Sequence, residues 1–166
     1  MGVCFLFQIG DKIVYPMHGA GIIEAIEEKE ILGEIQQYYI IHMPIGNMQV
    51  MIPVGNVSNL GIRPIADRDT MEEALSVFHK NEADTDLPWN QQYRANIDKI
   101  KNGDIVEGAE VVRDLIRRKQ KKALNTSENS MLHNAKRILV SELVLVNGVT
   151  ESQANDLLEQ TNRQEN

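Results

Sequence analysis

The hydrophobic period of this chain changes once, and that change constrains its architecture more than any motif does. Up to Ala66 the apolar residues come in short runs rich in Ile, Val and Tyr, bounded by glycine and proline, which is the patterning of strands. From Asp67 onward they recur about every 3.6 residues, and no proline follows Pro88, which is the patterning of helices. Strands and helices gathered into separate blocks make an α+β chain. The expected division is residues 1–66 and residues 67–166, with the boundary near Ala66.

The runs IVYP, GAGIIEAIEEKEI, EIQQYYIIHM, NMQVMIPV and LGIRPI predict five short strands, a number that suits a small five-stranded β-barrel. Leu32-Gly33 and Gly46-Asn47 are the expected hairpin turns, because glycine supplies the positive φ of a tight connection. His18-Gly19-Ala20-Gly21 reads as a further bend where backbone passes close to backbone. Pro53 and Pro64 have no ladder donor, which places them at strand ends or on an edge.

Five helices are expected after the boundary. Thr70 and Glu73 are spaced for a capping box on the first, which runs to about Lys80. Asn81 to Pro88 reads as an acidic loop, and Trp89 to Asn102 as the second helix with Gly103 as its C-cap. Asp104 caps the third, where Val106, Ala109, Val112, Leu115 and Ile116 form an apolar stripe and Arg113, Arg117 and Lys121 share another side. Ser127 begins the fourth, and Thr150 with Gln153 begins the fifth.

The net charge of −7 conceals a strong asymmetry. Residues 89–140 hold 11 basic and 6 acidic residues, whereas every other segment is acidic. Within them RDLIRRKQKK, residues 113–122, has six basic side chains against one acid. An acidic protein with one basic face is compatible with nucleic-acid binding. The only tryptophan, Trp89, opens this region, with Tyr93 and Arg94 one helical turn on. From the residues alone Trp89 is either a core plug or an exposed tool.

Enzymatic chemistry finds little support. The four histidines, His18, His42, His79 and His133, are scattered, and none has the spacing of a metal site. GAGIIE lacks the third glycine of a dinucleotide fingerprint, and neither a Walker loop nor a nucleophile elbow is present. No catalytic residue, metal or cofactor is expected. The single cysteine, Cys4, excludes an internal disulfide framework and fits a reducing cytoplasm. No apolar run reaches the roughly 20 residues of a membrane helix, and the opening MGVCFLF lacks the basic flank of a signal peptide. Two surfaces remain: a sheet edge that another protein's strand could extend or that charge and proline protect, and the basic helical region behind Trp89.

Three long blocks carry a resemblance. FQIGDKIVYPMHGAGIIEAIEEKEI, PWNQQYRANIDKIKNGDIVEGAEVVRDL and LNTSENSMLHNAKRILVSEL together resemble the CarD/CdnL family of bacterial transcription regulators, from about Phe7 to about Leu158. The resemblance implies an N-terminal Tudor-like domain, similar to the RNA-polymerase-interacting domain of the transcription-repair coupling factor, that docks on the polymerase β subunit. It also implies a helical C-terminal domain that touches promoter DNA at the upstream edge of the transcription bubble. The implied polymerase contacts are Glu28, Lys29 and Ile31 on one strand and Met48, Val50, Met51 and Pro53 on another. Met51 stands where some relatives carry arginine, and Gln91 and Gln92 are neutral where a basic residue is common. On the DNA side the family's exposed tryptophan corresponds to Trp89 and the adjacent basic position to Arg94, with Tyr93, Arg113, Arg117, Arg118 and Lys121 as further candidates.

The expectation is therefore a monomeric, cytoplasmic, non-enzymatic regulator that stabilises the open promoter complex by inserting Trp89 into the minor groove while basic side chains neutralise phosphates. A competing reading is a protein-interaction adaptor whose basic helical face binds a second protein. A methyl-lysine cage built from Tyr15, Tyr38 and Tyr39 is disfavoured, because adjacent strand residues point to opposite faces.

Overall fold

The computed structural model describes residues 6–80 and 87–163. Residues 81–86 of the expected loop at 81–88, and the end at residues 1–5, lie outside them. Five strands come first: β1 (Lys12–Tyr15), β2 (Gly19–Ile31), β3 (Glu34–Met43), β4 (Met48–Pro53) and β5 (Arg63–Pro64). Five helices follow: α1 (Arg68–Ser76), α2 (Trp89–Asn102), α3 (Ile105–Lys121), α4 (Thr126–Asn147) and α5 (Glu151–Arg163).

The strands form an antiparallel sheet in the order β4-β3-β2-β1-β5. The sheet is open, not the closed barrel expected from five short strands. β5 is only two residues long and pairs with β1 alone, while β4 pairs with β3 alone. Val57, Leu60 and Ile62, on the connection between β4 and β5, pack onto the core of Ile13, Ile23, Tyr39, Ile41 and Ile52. They cover the face that barrel closure would have covered. Phe7 joins the same core, and its backbone N–H and C=O are both bonded by the Tyr39 hydroxyl, at 3.1 and 3.0 Å.

Both predicted hairpin turns are present, with positive φ at Leu32 (53°) and Gly33 (80°), and at Gly46 (83°) and Asn47 (49°). Gly21 is the close approach anticipated in the HGAG bend. A Cβ there would lie 2.6 Å from Met43 Sδ, 2.7 Å from Ile41 Cγ2 and 2.8 Å from the His42 carbonyl. Tyr39 is 1% and Tyr38 8% exposed; they point to opposite sides of β3, so no aromatic cage forms.

The helical core gathers Met71, Ala74 and Phe78 with Ala109, Val112 and Leu115 of α3, Ala135, Leu139 and Leu143 of α4, and Leu158 of α5. The helix starts are partly as expected. Asp104 accepts the Glu107 N–H, and Thr150 and Gln153 form their reciprocal pair. Two starts differ. α1 is capped by Asp67, which accepts the Thr70 N–H at 2.7 Å, so the Thr70–Glu73 box does not form. α4 is capped by Asn125 in a box with Glu128, two residues ahead of the expected start at Ser127. In both cases an Asx side chain just upstream accepts the amide three residues on, one of the groups a helix start leaves without a partner.

Hydrogen bonds from the Thr70 side chain and backbone lower the Asp67 pKa. The sign follows: the stabilisation is present above the ordinary carboxylate range and is lost as pH falls through the depressed value. Asp67→Ala will lower the thermal midpoint at pH 7 more than Glu73→Ala, and thermal melts at falling pH will bring the two together. Gly21→Ala, whose methyl meets an immovable carbonyl, will cost about 1–3 kcal/mol by overpacking, measured by denaturant unfolding.

Candidate nucleic-acid and polymerase interface

Trp89 is not a core residue. Pro88 sets the entry to α2 with φ −53° and its carbonyl accepts the N–H groups of Gln91 and Gln92. That leaves Trp89 at the first helical position, 38% exposed. Its indole stacks on Tyr93, one turn on, with ring centroids 5.6 Å apart and planes 24° apart. Tyr93 is half-buried against the helical core. The phenol ring thus backs the indole, which remains 38% exposed. Arg94 is exposed beside it.

A shallow cleft opens at this ring pair. Trp89, Gln92, Tyr93 and Asn96 line it from α2, Asp114, Leu115 and Arg118 from α3, and Glu128 from α4. Asn96 is 2% exposed and accepts a bond from Gln92 Nε2 at 3.1 Å. Arg118 is paired with the buried carboxylate of Glu128, the residue that completes the α4 cap. Neither Asn96 nor Glu128 was singled out from sequence. A short polar residue within a helix, and an acid in a capping box, are ordinary there unless the neighbouring helices are known.

The basic stripe of α3 is not one surface. Arg113 is 4% exposed, donates to the Val77 carbonyl at 3.2 Å and pairs with Asp114 at 2.9 Å. It is therefore an interior clamp and not a DNA-facing group: at 3.6 residues per turn the eight residues from Arg113 to Lys121 drift by about 80° around the helix, which carries Arg113 under the segment that follows α1. Arg117 is half-buried and donates to the carbonyls of Phe78 and Lys80, at 3.2 and 2.9 Å. Lys119, Lys121 and Lys122 are exposed with Arg118 at the C-terminal end of α3. Cations there also complement the negative end of the helix dipole.

The sheet positions divide by register. Residues directly opposite one another share a face, and Met51 opposes Ile40 while Pro53 opposes Tyr38. Lys29 and Ile31 lie on that same side, through Gln36 and Glu34. Glu28, Met48 and Val50 lie on the other side. The β4 edge does not join the whole set, because β3 runs between β4 and the β2 residues Glu28, Lys29 and Ile31; β4 itself, MQVMIP, is an edge strand without a charged residue, and Met48 and Met51 are 48% and 40% exposed. The β2–β3 hairpin adds Ile31 (41%), Leu32 (99%) and Ile35 (64%) at its tip. Leu32 and Ile35 were missed; apolar residues at a tight turn were the available signal. Lys29 pairs with Glu27 at 3.4 Å in an exposed setting.

Among the described residues there is no group of three or more His, Cys, Asp or Glu placed to hold a metal, and no helix long and apolar enough to cross a membrane.

Arg113→Ala will destabilise the fold by about 2 kcal/mol, the scale of lost hydrogen bonds from a charged group, whereas Arg94→Ala will leave the unfolding midpoint unchanged; chemical denaturation separates them.

Comparison with known proteins matches two family models in succession along the chain. Residues 7–66 match the CarD-like/TRCF RID domain, and residues 73–159 match the CarD, C-terminal domain. A protein of Bacillus subtilis (strain 168), the putative transcription factor YdeB, is 58% identical over 148 residues, covering 89% of this chain and 97% of its own. The solution structure of the 72-residue N-terminal domain of Myxococcus xanthus CarD matches at 28% identity over 38% of this chain and 84% of that one, with a TM-score of 0.32.

Proposed function

The chain belongs to the CarD family, and from that membership we propose that it is a transcription regulator that docks on the β subunit of bacterial RNA polymerase and prolongs the life of the open promoter complex. The observation that carries the reading is the placement of Trp89: exposed at a helix start, backed by Tyr93, beside the exposed Arg94. A rigid aromatic edge beside a cation suits a wedge at the upstream edge of a transcription bubble, where it stacks on or displaces a base and recovers part of the lost stacking. Base stacking of this kind is tolerant of sequence, so recruitment comes from polymerase and not from a DNA site.

Docking is assigned to the sheet. Natural sheet edges are commonly blocked by charge, and β4 lacks that protection. Its Met48, Val50, Met51 and Pro53 suit the addition of a partner's strand in which main-chain bonds give affinity and the methionines give apolar contact, while Glu28, Lys29 and Ile31, on β2 beyond β3, would meet a different part of the partner. The β5 edge is blunted by its two-residue length and by Pro64. Phosphate neutralisation falls to Arg94, Arg118 and Lys121, with Arg117 contributing only its exposed part. The two domains, residues 1–66 and 67–166, divide the labour between polymerase and DNA in the cytoplasm.

A factor slows bubble collapse only by binding the melted state better than the closed one. With about 1.4 kcal/mol of differential binding the ratio shifts tenfold. In a lifetime assay with purified bacterial polymerase, Trp89→Ala is expected to keep its fold and its polymerase affinity and to lose most of the lifetime gain. Unfolding of the helical part in that variant would mean the indole is structural. Lys29→Glu is expected to abolish polymerase pull-down. A steep salt dependence, with a log-log slope of about 0.9 per neutralised phosphate, is expected for DNA in the ternary complex. A flat one would favour the adaptor reading, in which the same basic face binds a second protein.

A further inference from the structure

Arg63 sits where the sheet, α2 and α4 meet. From β5, its Nη1 and Nη2 donate to the two carboxylate oxygens of Glu142 in α4, at 2.9 and 2.8 Å. Its Nε donates to the carbonyl of Gly103 at 2.7 Å. Gly103 is the left-handed C-cap of α2, the helix whose first residue is Trp89. Glu142 is 2% exposed and also accepts the Ala66 N–H at 2.7 Å. Pro16, in the turn after β1, presses on the same cap, with its Cγ 3.1 Å from where a Gly103 Cβ would lie. One planar group is therefore held in three directions by two helices and its own strand.

Such a pair is weak evidence for stability, because apolar residues of similar volume often do as well. What a guanidinium fork supplies is direction, since its donors are fixed in one plane. α2 has 14 residues, so it is about 20 Å long at 1.5 Å per residue, and a tilt of about 10° at Gly103 displaces Trp89 by about 3–4 Å. Displacement on that scale is enough to lose a contact that depends on ring placement.

We propose that Arg63 is a positioning residue: by anchoring the C-terminal end of α2 and the middle of α4 to the sheet, it holds Trp89 at a fixed attitude to the docking strand, so that a docked sheet presents the indole to promoter DNA. The inference rests on the function proposed above. Two contacts on one body reinforce each other only when their geometry allows both at once. Arg63 contributes to neither contact directly and governs whether they coincide.

The test compares the full chain with Arg63→Lys, with the paired Arg63→Met/Glu142→Leu variant and with Trp89→Ala. The paired variant leaves no charge buried alone and so separates orientation from stability. It is expected to keep a cooperative melt and to bind polymerase within about twofold, yet to lose about tenfold of the open-complex lifetime gain. Arg63→Lys, which keeps the charge and loses the fork, is expected to fall between. Spin labels at Gln49→Cys and Asn90→Cys in a Cys4→Ser background are expected to give a narrow distance distribution in the parent and a broad one with either Arg63 change, a readout that a purely stabilising role would not move. Full lifetime gain in the paired variant while Trp89→Ala is defective would overturn this inference alone. Loss of the gain with an unchanged distance distribution would overturn it too. Full gain in Trp89→Ala would overturn both readings, by removing what Arg63 is proposed to position.

Discussion

The buried contact between Arg63 and Glu142 is the constraint on which the arrangement of this molecule depends. Glu142 lies in the midst of the apolar run RILVSELVLV on α4 and is 2% exposed. A carboxylate in such a place needs donors for its oxygens, and three come from the sheet side: two from Arg63 and one from the Ala66 backbone. Next to it, Ser141 Oγ accepts the Ala20 N–H at 2.9 Å and donates to the Ile138 carbonyl. Two adjacent polar residues on one helix thus bond to the start of β2 and to β5 with the segment after it, and Val14, Ala20 and Leu145 pack as an apolar cluster beside them. The sheet and helices are joined by directional bonds surrounded by a small apolar seal.

That junction also shows what was legible in the sequence and what was not. The strand limits of GAGIIEAIEEKEI and EIQQYYIIHM, the α2 C-cap at Gly103 and the α3 N-cap at Asp104 depend on residues within a few positions of one another, and local patterning found them. Closure of the sheet depends instead on whether β4 meets β5, which the intervening loop decides by packing into the gap. Arg113 and Arg117 were read as one face with Lys121 because their four-residue spacing is a helical stripe. Their true surroundings are set by the turn after α1, whose carbonyls at Val77, Phe78 and Lys80 accept from the two guanidiniums. Arg63 and Glu142 are 79 residues apart, and no local pattern joins them. A lone acid within an apolar helical run was the one available sign.

The reading of Trp89 illustrates how physical context turns an ambiguous residue into a specific one. Proline before it fixes the start of the helix, the four-residue step brings Tyr93 beneath it, and burial of the phenol against the core makes the support rigid. The indole is held rather than hidden. The cleft alongside it is bounded by a cap, Glu128, that has its own structural duty, so the groups near the ring are ordered before any ligand arrives.

The uncharged edge of β4 has a further consequence, one of supply. A strand with open amides and carbonyls, flanked by exposed methionines, is as suitable for a second copy of the same chain as for a foreign strand. Its six-residue length and terminal Pro53 limit how far such pairing extends, because proline removes a ladder donor. If β4 takes a partner's strand as proposed above, a surplus of the chain over that partner would leave this edge open to a second copy.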